Sequence, residues 1–290
     1  MKKLYFLFLL IPIIVLLNSC LEPAEENTLI RDQIIKIDQH IKTYYPFYPA
    51  FYDASGIAFV VKKFGDLPPA RIGQTMQLQI EGRVLESTNP FQDETLNTKL
   101  ENISVEGLRF VLNNVMTGSE VVAFIPSEYA FKEIGNANVP PNSIVQYDFN
   151  LLSTQLSASE LSRLESDTLA IRQYINENNL ENVIRHPSGL YYQIEEEGSG
   201  VNPNVYNRVG FEYSGKLMVN GVVFDSGALN TLVFNLIDGI KIGLPLIKPG
   251  GRIILYIPSY LGYGEEDRPG IPGDSNLIFE IELTSSTSTN

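Results

Sequence analysis

The chain is poor in the residues that carry out covalent or metal chemistry. Its 290 residues include one cysteine, two histidines and no tryptophan. A single thiol cannot close a disulfide within the chain or build a cysteine metal site. The histidines, His40 and His186, are far apart in the sequence and have no acidic residues at ligand spacing around them. We therefore predict no metal ion and no cofactor, and we find no constellation typical of a hydrolase or a metalloenzyme.

Positive charge is also scarce. The sequence has 21 Lys and Arg against 34 Asp and Glu, which gives a formal net charge of −13 at pH 7. Binding to nucleic acid depends on clustered Lys and Arg that neutralise phosphates, so we predict no nucleic-acid partner. A large negative charge favours solubility instead, and the length of the chain suits two domains.

The longest apolar run lies at the N-terminus and is short for a membrane span. Residues 4–17 are almost wholly apolar and follow two lysines. A transmembrane helix needs roughly 20 such residues, whereas a basic start and a shorter run are typical of a secretory signal. The ending "LNSC" resembles a bacterial lipobox, with Asn18 as an unusual residue in it. We predict a signal peptide at 1–19 and lipidation of Cys20; the alternatives are an uncleaved anchor and an ordinary signal followed by an unrelated cysteine.

Lipidation of Cys20 would place the protein at the cell envelope. Glu22, Glu25 and Glu26 follow the cysteine closely, which resembles outer-membrane lipoproteins of Gram-negative bacteria. We therefore expect a membrane anchor through the N-terminal lipid, at the outer membrane, with the protein on either its periplasmic or its external side.

The sequence repeats itself. The tripeptide Ile-Pro-Ser occurs at Ile125–Ser127 and again at Ile257–Ser259, an offset of 132 residues. The same offset pairs Gly107 with Gly239, Gly118 with Gly250 and Val139-Pro140 with Ile271-Pro272. Further upstream the offset drifts to 133 and then 134 residues, as small loop deletions would produce. We interpret the pattern as a tandem duplication, with a helix opening each unit.

Apolar periodicity predicts the elements of each unit. Apolar residues at 3–4 spacing in 30–44 and 161–175 predict two helices, and Ser157 with Glu160 forms a capping box before the second. The period then changes to two, as in "LIFEIEL" at 277–283, which predicts antiparallel strands with one face on a core. A short apolar stretch without alternation follows Phe234 and indicates a brief inner helix. Each unit is therefore predicted to be an α+β domain.

Four segments of the second unit, in this order, carry a family resemblance. They read "FEYSGKLMVNGVVFDSG", "LVFNLIDGIKIGLPLIKPGG", "RIILYIPSYLGYG" and "GIPGDSNLIFEIEL". In order and spacing they resemble the FKBP-type peptidyl-prolyl cis/trans isomerases over residues 189–283. The resemblance implies a curved antiparallel sheet around a short helix, with an apolar pocket for a prolyl ring, and the duplication implies two such domains in tandem.

The resemblance also implies the residues of this pocket. The expected catalytic residues are Tyr213, Phe224, Asp225 and Tyr263, and the expected substrate-binding residues are Ile237, Ile240, Ile271 and Phe279. Tyr263 is expected to donate its hydroxyl to a substrate carbonyl. Tyr213 is expected to orient Asp225 near the carbonyl that rotates.

The second unit departs from the family pattern at several positions, including Ile240, Pro245 and Gly273. Ile240 stands where the family usually has a tryptophan at the floor of the pocket. Pro245 falls where the inner helix should run, so the helix is expected either to begin near it or to be kinked.

Prolyl isomerisation needs none of the groups that this chain lacks. Rotation about an X–Pro bond has a barrier of roughly 18–20 kcal/mol and takes tens to hundreds of seconds uncatalysed. No bond is made or broken, so no nucleophile or metal is required. A dry pocket and fixed donors can lower the barrier by holding the twisted amide more tightly than the planar one.

The first unit keeps the frame and loses key side chains. Ile80 stands in place of the "YSG" tyrosine, and Phe131 stands in place of the "GYG" tyrosine. No clear Phe-Asp pair follows, since Phe91 and Asp93 fit only when the register is stretched. We predict the same fold without competent catalysis; peptide binding, dimerisation and a scaffold role stay open.

These observations predict an isomerase that assists the folding of exported proteins by acting on their proline-containing segments. The alternative is a catalytically weak FKBP-like lipoprotein that binds a peptide or a protein. The predicted organisation is a signal peptide at 1–19, a tether and helix at 20–45, a degenerate FKBP-like domain at 46–153, a linker helix at 154–186 and an isomerase domain at 187–290.

Overall fold

The computed structural model of the protein describes residues 28–287. The predicted signal peptide and the lipidation at Cys20 lie outside these residues. The helices are α1 (Thr28–Tyr44), α2 (Glu106–Asn113), α3 (Ala158–Glu177) and α4 (Asp238–Gly243). The strands are β1 (Ala50–Tyr52), β2 (Ala58–Lys63), β3 (Leu67–Pro69), β4 (Thr75–Val84), β5 (Pro90–Lys99), β6 (Met116–Thr117), β7 (Glu120–Ile125), β8 (Val145–Gln155), β9 (Ile184–Arg185), β10 (Tyr191–Glu196), β11 (Arg208–Leu217), β12 (Val223–Leu232), β13 (Gly251–Ile257) and β14 (Leu277–Thr287).

The strands form two large antiparallel sheets with the same connectivity. The first sheet has the order β1-β2-β7-β8-β4-β5, and the second, written from its other end, has the order β9-β10-β13-β14-β11-β12. A short helix, α2 or α4, is inserted at the same point of each unit. The prediction of two tandem α+β domains, each with a curved antiparallel sheet, a short inner helix and a preceding helix, is confirmed.

Alternating side chains determine what each sheet face contacts. In β14 the residues Leu277, Phe279, Ile281 and Leu283 are buried in the main core, whereas Glu280 and Glu282 are exposed. Ile278 points to the opposite face, where it joins the cluster that contains Ile171 of α3. Helix α1 covers the first sheet in the same way through Ile37 and Ile41. Each sheet therefore lies between a short inner helix and the longer helix that precedes its domain.

The capping box predicted before α3 is present. Ser157 Oγ accepts a hydrogen bond from the Glu160 backbone N–H at 3.3 Å, and the Ser157 N–H donates to the Glu160 carboxylate at 2.8 Å. These bonds satisfy N–H groups that the first helical turn leaves unpaired. None of the helices within residues 28–287 is long and apolar enough to cross a membrane.

Pro245 ends the inner helix of the second domain. Helix α4 stops at Gly243, and the chain continues as a single 3-10 turn over Leu244–Leu246 in which Pro245 occupies an early position. A backbone N–H in the first turn has no partner within its helix, so a proline there removes nothing. The helix therefore neither begins near the proline nor kinks at it.

The domains meet at a set of aromatic rings around Tyr206, which precedes β11. Its ring centroid lies 3.8 Å from that of Phe51 in the first domain and 6.0 Å from that of Phe234 in the second. Its hydroxyl donates to the carbonyl oxygen of Asn114 in the first domain at 3.0 Å. The buried residues of the two domains consequently form one continuous apolar cluster.

Polar contacts flank this aromatic junction. Arg71 of the first domain forms an ion pair with Asp238 and donates to the carbonyl oxygen of Tyr260 at 2.8 Å. Gln74 donates to the carboxylate of Glu160, at the start of α3, at 2.9 Å. The first domain thus contacts both α4 and the loop after β13 in its neighbour.

Candidate active site

The predicted site residues of the second domain converge on one apolar cluster. They come from β11, β12, α4, the loop after β13 and β14. Three of them are buried within the cluster, four are half-buried against it, and Asp225 joins them through Tyr213. The buried members are Ile240, Ile271 and Phe279, and the half-buried members are Tyr213, Phe224, Ile237 and Tyr263.

Phe224 is the central ring of the site. It meets Phe279 nearly edge-on, with centroids 5.7 Å apart and planes at 74°, and it meets Tyr263 at 6.5 Å and 81°. Edge-to-face pairs of this kind are favourable because the positive edge of one ring faces the negative face of another. The three rings form apolar walls that suit a prolyl ring.

Gly215 provides the space that these rings occupy. A Cβ atom at this position of β11 would lie 2.7 Å from Phe224 and 3.0 Å from Phe279. Any larger residue would therefore push at least one ring out of place. The glycine of the "YSG" motif is explained by this close approach.

Tyr213 and Asp225 form a polar pair beside the rings. The Tyr213 hydroxyl donates to Asp225 Oδ2 at 2.7 Å. Burial, aided by the adjacent carboxylate, raises the pKa of Tyr213 to about 12. The phenol therefore stays protonated near neutral pH and continues to orient the exposed Asp225 carboxylate.

The loop after β13 presents Tyr263 with a free hydroxyl. Among the described residues, this hydroxyl makes no hydrogen bond, while its ring lies under the Arg268 guanidinium at 5.0 Å. Burial raises the pKa of Tyr263, and the Arg268 charge opposes the rise. Arg268 and Ile271 exchange two backbone hydrogen bonds, of 2.8 and 2.9 Å, which close the loop on itself. The site thus contains one phenol that remains available as a donor.

Helix α4 supplies the aliphatic part of the site. Ile237 precedes the helix, and its carbonyl oxygen accepts from the N–H groups of Ile240 and Lys241 at 2.9 and 3.0 Å. Gly239 allows a close approach to β13, because a Cβ atom there would lie 2.6 Å from Ile257. Ile240 is buried in the core, and as an isoleucine it fills less volume than the family's usual tryptophan.

The first domain has the same ring arrangement. Phe91 meets Phe131 at 5.7 Å and 87°, and it meets Tyr147 at 5.7 Å and 90°. Gly82 lies beneath these rings, since a Cβ atom there would be 2.6 Å from Tyr147 and 2.8 Å from Phe91. These residues correspond to Phe224, Tyr263, Phe279 and Gly215.

The expectation that Phe91 fits only with a stretched register was wrong. Strand pairing aligns Gly82 with Gln92 in the first domain and Gly215 with Asp225 in the second. Phe91 therefore matches Phe224 directly, and Gln92, not Asp93, takes the place of Asp225. The sequence alone does not reveal this correspondence, because Gln92 breaks the Phe-Asp pattern and the pairing of neighbouring strands determines the register.

The first domain keeps the pocket but carries different polar groups in it. A cavity of about 400 Å³ lies among these rings and is lined by residues such as Val105, Leu108 and Phe131. Ile80 and Phe131 remove the two hydroxyls of the second domain, and Gln92 replaces its carboxylate. The cavity has apolar walls and other polar side chains, including Tyr147, but no hydroxyl at the position of Tyr263.

Within residues 28–287, no three His, Cys, Asp or Glu side chains are grouped so that they could hold a metal ion. His186 is instead part of a turn, where its Nδ1 lies 3.0 Å from Ser188 Oγ.

Comparison with known proteins identifies both units. Residues 68–152 and 200–284 each match the family FKBP-type peptidyl-prolyl cis-trans isomerase. The two matched ranges are separated by the same 132 residues as the Ile-Pro-Ser repeat. The tandem duplication inferred from the sequence is therefore confirmed.

Curated relatives match over part of their length. The chain is 39% identical over 113 residues to the isomerase FkpA of Buchnera aphidicola from Acyrthosiphon pisum, which covers 37% of this chain and 46% of that protein. It is 40% identical over 101 residues to FkpA of Escherichia coli K12, covering 33% and 37%. It is 40% identical over 109 residues to FK506-binding protein 4 of Dictyostelium discoideum, covering 36% and 30%. The matched segments thus span less than half of each of these relatives.

Solved structures of the family are also similar. The crystal structure of E. coli FkpA matches with a TM-score of 0.39 and 31% identity, over 46% of this chain and 67% of that one. The three FKBP domains of wheat FKBP73 match with a TM-score of 0.34 and 19% identity, over 81% and 97%. Because the two family matches together cover more than half of its residues, the chain belongs to the FKBP-type peptidyl-prolyl cis-trans isomerase family.

Proposed function

We propose that the protein is a peptidyl-prolyl cis/trans isomerase whose activity resides in the C-terminal domain, residues 187–290. Its substrates are proline-containing segments of exported proteins, whose folding it assists. The degenerate domain, residues 46–153, folds in the same way without catalysis. Residues 154–186 link the two domains and include α3 and β9, the edge strand of the second sheet. One contrast carries the proposal: both domains have the ring set, but only the second has a tyrosine at the loop position of Tyr263 and, beside the rings, a carboxylate that a tyrosine orients.

The geometry suggests how the site acts on a prolyl bond. The prolyl ring lies against Phe224 and Phe279, where water is excluded and the polar planar amide loses its hydration. The Tyr263 hydroxyl donates to a substrate carbonyl and holds the peptide in place. Asp225, oriented by Tyr213, lies near the carbonyl that rotates. Because these groups are already in position, they stabilise the twisted amide without further reorganisation.

Replacement of Tyr263 tests this proposal. In the full chain, Tyr263→Phe is expected to lower kcat/KM for a prolyl peptide about 5- to 10-fold. The loss of one hydrogen bond costs about 1–1.5 kcal/mol, and about 1.4 kcal/mol corresponds to a tenfold rate. A protease-free isomerisation assay measures the effect.

Tyr147→Phe is the matched control, because it removes a hydroxyl from the pocket of the first domain. It is expected to leave kcat/KM unchanged. A wild-type chain that does not accelerate isomerisation contradicts the enzymatic proposal. Equal rates for wild type and Tyr263→Phe contradict the role of Tyr263 alone.

We further propose that the protein is lipid-anchored at the cell envelope through Cys20. The basic start, the apolar run and the lipobox-like ending of residues 1–20 support this proposal. Cys20→Ser removes the thiol that a lipid would modify, so fatty-acid labelling is expected to disappear and the protein is expected to leave the membrane fraction. Ser19→Ala keeps the thiol and should remain labelled. Absence of label from the wild-type protein would refute the anchor.

A second function is favoured for the first domain by its cavity of about 400 Å³. The cavity keeps its aromatic walls but lacks a hydroxyl at the position of Tyr263, which suits binding of a peptide without turnover. The first domain would then hold a segment of the same client while the second domain acts on it.

A further inference from the structure

Helix α3 holds the loop that carries Tyr263. Asp167, in the middle of the helix, accepts two hydrogen bonds at Oδ2 from Ser259, one from the backbone N–H at 2.8 Å and one from Oγ at 2.7 Å. Asp167 is 5% exposed and Ser259 is 1% exposed. Hydrogen bonds to a charged carboxylate are among the strongest that a neutral donor can make. The contact between Asp167 and Ser259 therefore fixes the start of the loop.

Ser259 transmits this support to Tyr263. Its carbonyl oxygen accepts from the N–H of Gly262 at 3.0 Å and from the N–H of Gly264 at 2.9 Å. These glycines flank Tyr263 on both sides. The backbone position of the tyrosine therefore depends on Ser259. Asp167 holds Ser259 through two hydrogen bonds, and Asn276 Oδ1 also accepts from the Ser259 N–H, at 3.2 Å.

Arg163 holds the far side of the same loop. It lies one helical turn before Asp167, so both side chains project from the same face of α3. Its Nε lies 2.8 Å from Asp274 Oδ1, and its guanidinium also pairs with Glu265. The Asp274 N–H donates to the carbonyl oxygen of Gly264 at 2.8 Å. The helix thus contacts the loop on both sides of Tyr263.

The first domain has the same arrangement with a different side chain. Gln33 of α1 accepts from the Ser127 N–H at 2.8 Å and donates to Ser127 Oγ at 3.0 Å and to the Asn142 carbonyl oxygen at 3.0 Å. An amide can both donate and accept, whereas an ionised carboxylate only accepts. Support of the loop by the preceding helix is therefore common to both domains, but in the first it holds Phe131, which has no hydroxyl.

We propose that Asp167 and Arg163 are positioning residues of the isomerase site, and that α3 places the Tyr263 hydroxyl rather than only connecting the domains. This inference rests on the proposed function of Tyr263. The hydrogen bonds of Asp167 to Ser259 and the ion pairs of Arg163 with Asp274 and Glu265 support this inference.

A double-mutant cycle in the full chain tests the proposal. Asp167→Ala is expected to lower kcat/KM about 5- to 10-fold. This equals the loss expected from removing the Tyr263 hydroxyl, because Asp167 acts only by positioning that hydroxyl. In a Tyr263→Phe background it should change kcat/KM less than about twofold, since the group it positions is already absent. Asp167→Asn keeps an acceptor for Ser259 and should restore most of the activity.

Gln33→Ala is the matched control. It removes the equivalent support in the first domain and should leave kcat/KM unchanged. Hydrogen exchange at the amides of Gly262 and Gly264 gives a readout that does not depend on activity. These amides should exchange faster in Asp167→Ala and stay protected in Gln33→Ala.

Independent effects of Asp167→Ala and Tyr263→Phe that multiply in the double mutant would overturn the proposal, as would unchanged exchange at the two glycines. If Asp167→Ala fails to fold, Arg163→Ala replaces it, because the Arg163 side chain contacts the loop nearer the surface. A loss of kcat/KM in Arg163→Ala that disappears in the Tyr263→Phe background supports the proposal, and a loss that persists there contradicts it. A wild-type chain without activity refutes the proposed function, while the exchange data still decide whether α3 positions the loop.

Discussion

Phe224→Ala is expected to lower kcat/KM of the full chain for a prolyl peptide about 100-fold. Phe224 forms edge-to-face pairs with both Phe279 and Tyr263, at 5.7 and 6.5 Å. Truncating such a ring to alanine removes about 3 kcal/mol of apolar contact, and 1.4 kcal/mol corresponds to about a tenfold rate. The change also opens the pocket to water, which weakens every polar interaction within it. A protease-free isomerisation assay measures the loss.

Phe91→Ala is the matched control for this experiment. Phe91 occupies the same position in the first domain, with the same pairs of rings and the same glycine beneath it. It should leave kcat/KM unchanged, because the first domain has Phe131 and Gln92 in place of Tyr263 and Asp225. A comparable rate loss in Phe91→Ala, or none in Phe224→Ala, would show that the C-terminal domain is not the seat of the activity.

Tyr206→Ala is expected to lower the free energy of unfolding by about 3–5 kcal/mol, the range for truncating a large buried aromatic residue. Tyr206 is 6% exposed, and its ring contacts Phe51 and Phe234 on opposite sides of the junction. Its loss also leaves the Asn114 carbonyl oxygen without this donor. Because the residue joins the two cores, we expect thermal unfolding to separate into two transitions.

Two further variants distinguish coupling from general destabilisation. Tyr206→Phe removes only the hydroxyl and should cost about 1 kcal/mol. Tyr191→Ala removes a buried ring from the cluster that joins Tyr256 of the second domain to Ile171 of α3. Tyr191→Ala should lower the midpoint of thermal unfolding, but the two domains should still unfold together as they do in the wild-type protein. A single transition at the wild-type midpoint for Tyr206→Ala would contradict the importance of the junction.

The sequence predicted the elements that local pattern controls. Strict alternation in β14 placed Leu277, Phe279 and Ile281 on the core face, because successive residues of a strand point to opposite sides. The capping box at Ser157 and Glu160 was confirmed for a similar reason, since its bonds join residues only three apart. The repeat was visible because both domains bury equivalent faces.

The candidate site was predicted only in part. The family motifs named the residues of the second domain that lie together around Phe224. The motifs did not show that Phe91 and Gln92 of the first domain correspond to Phe224 and Asp225, because this correspondence depends on the pairing of β4 with β5. They also left out Asp167, since nothing near it in the sequence shows that it contacts Ser259, 92 residues away.

The sequence by itself determined the duplication and the α+β class, because these depend on side-chain order along single strands and helices. Only the tertiary structure decided how the parts support one another. The Arg71–Asp238 pair joins residues 167 positions apart, and the junction at Tyr206 requires both domains to be docked. Such contacts form between the surfaces of folded domains, so the periodicity of a single sequence segment does not predict them. The loop from Ile257 to Ser275 illustrates both contributions. Its sequence motif identifies Tyr263, whereas the contacts that position Tyr263 come from α3, which lies elsewhere in the chain.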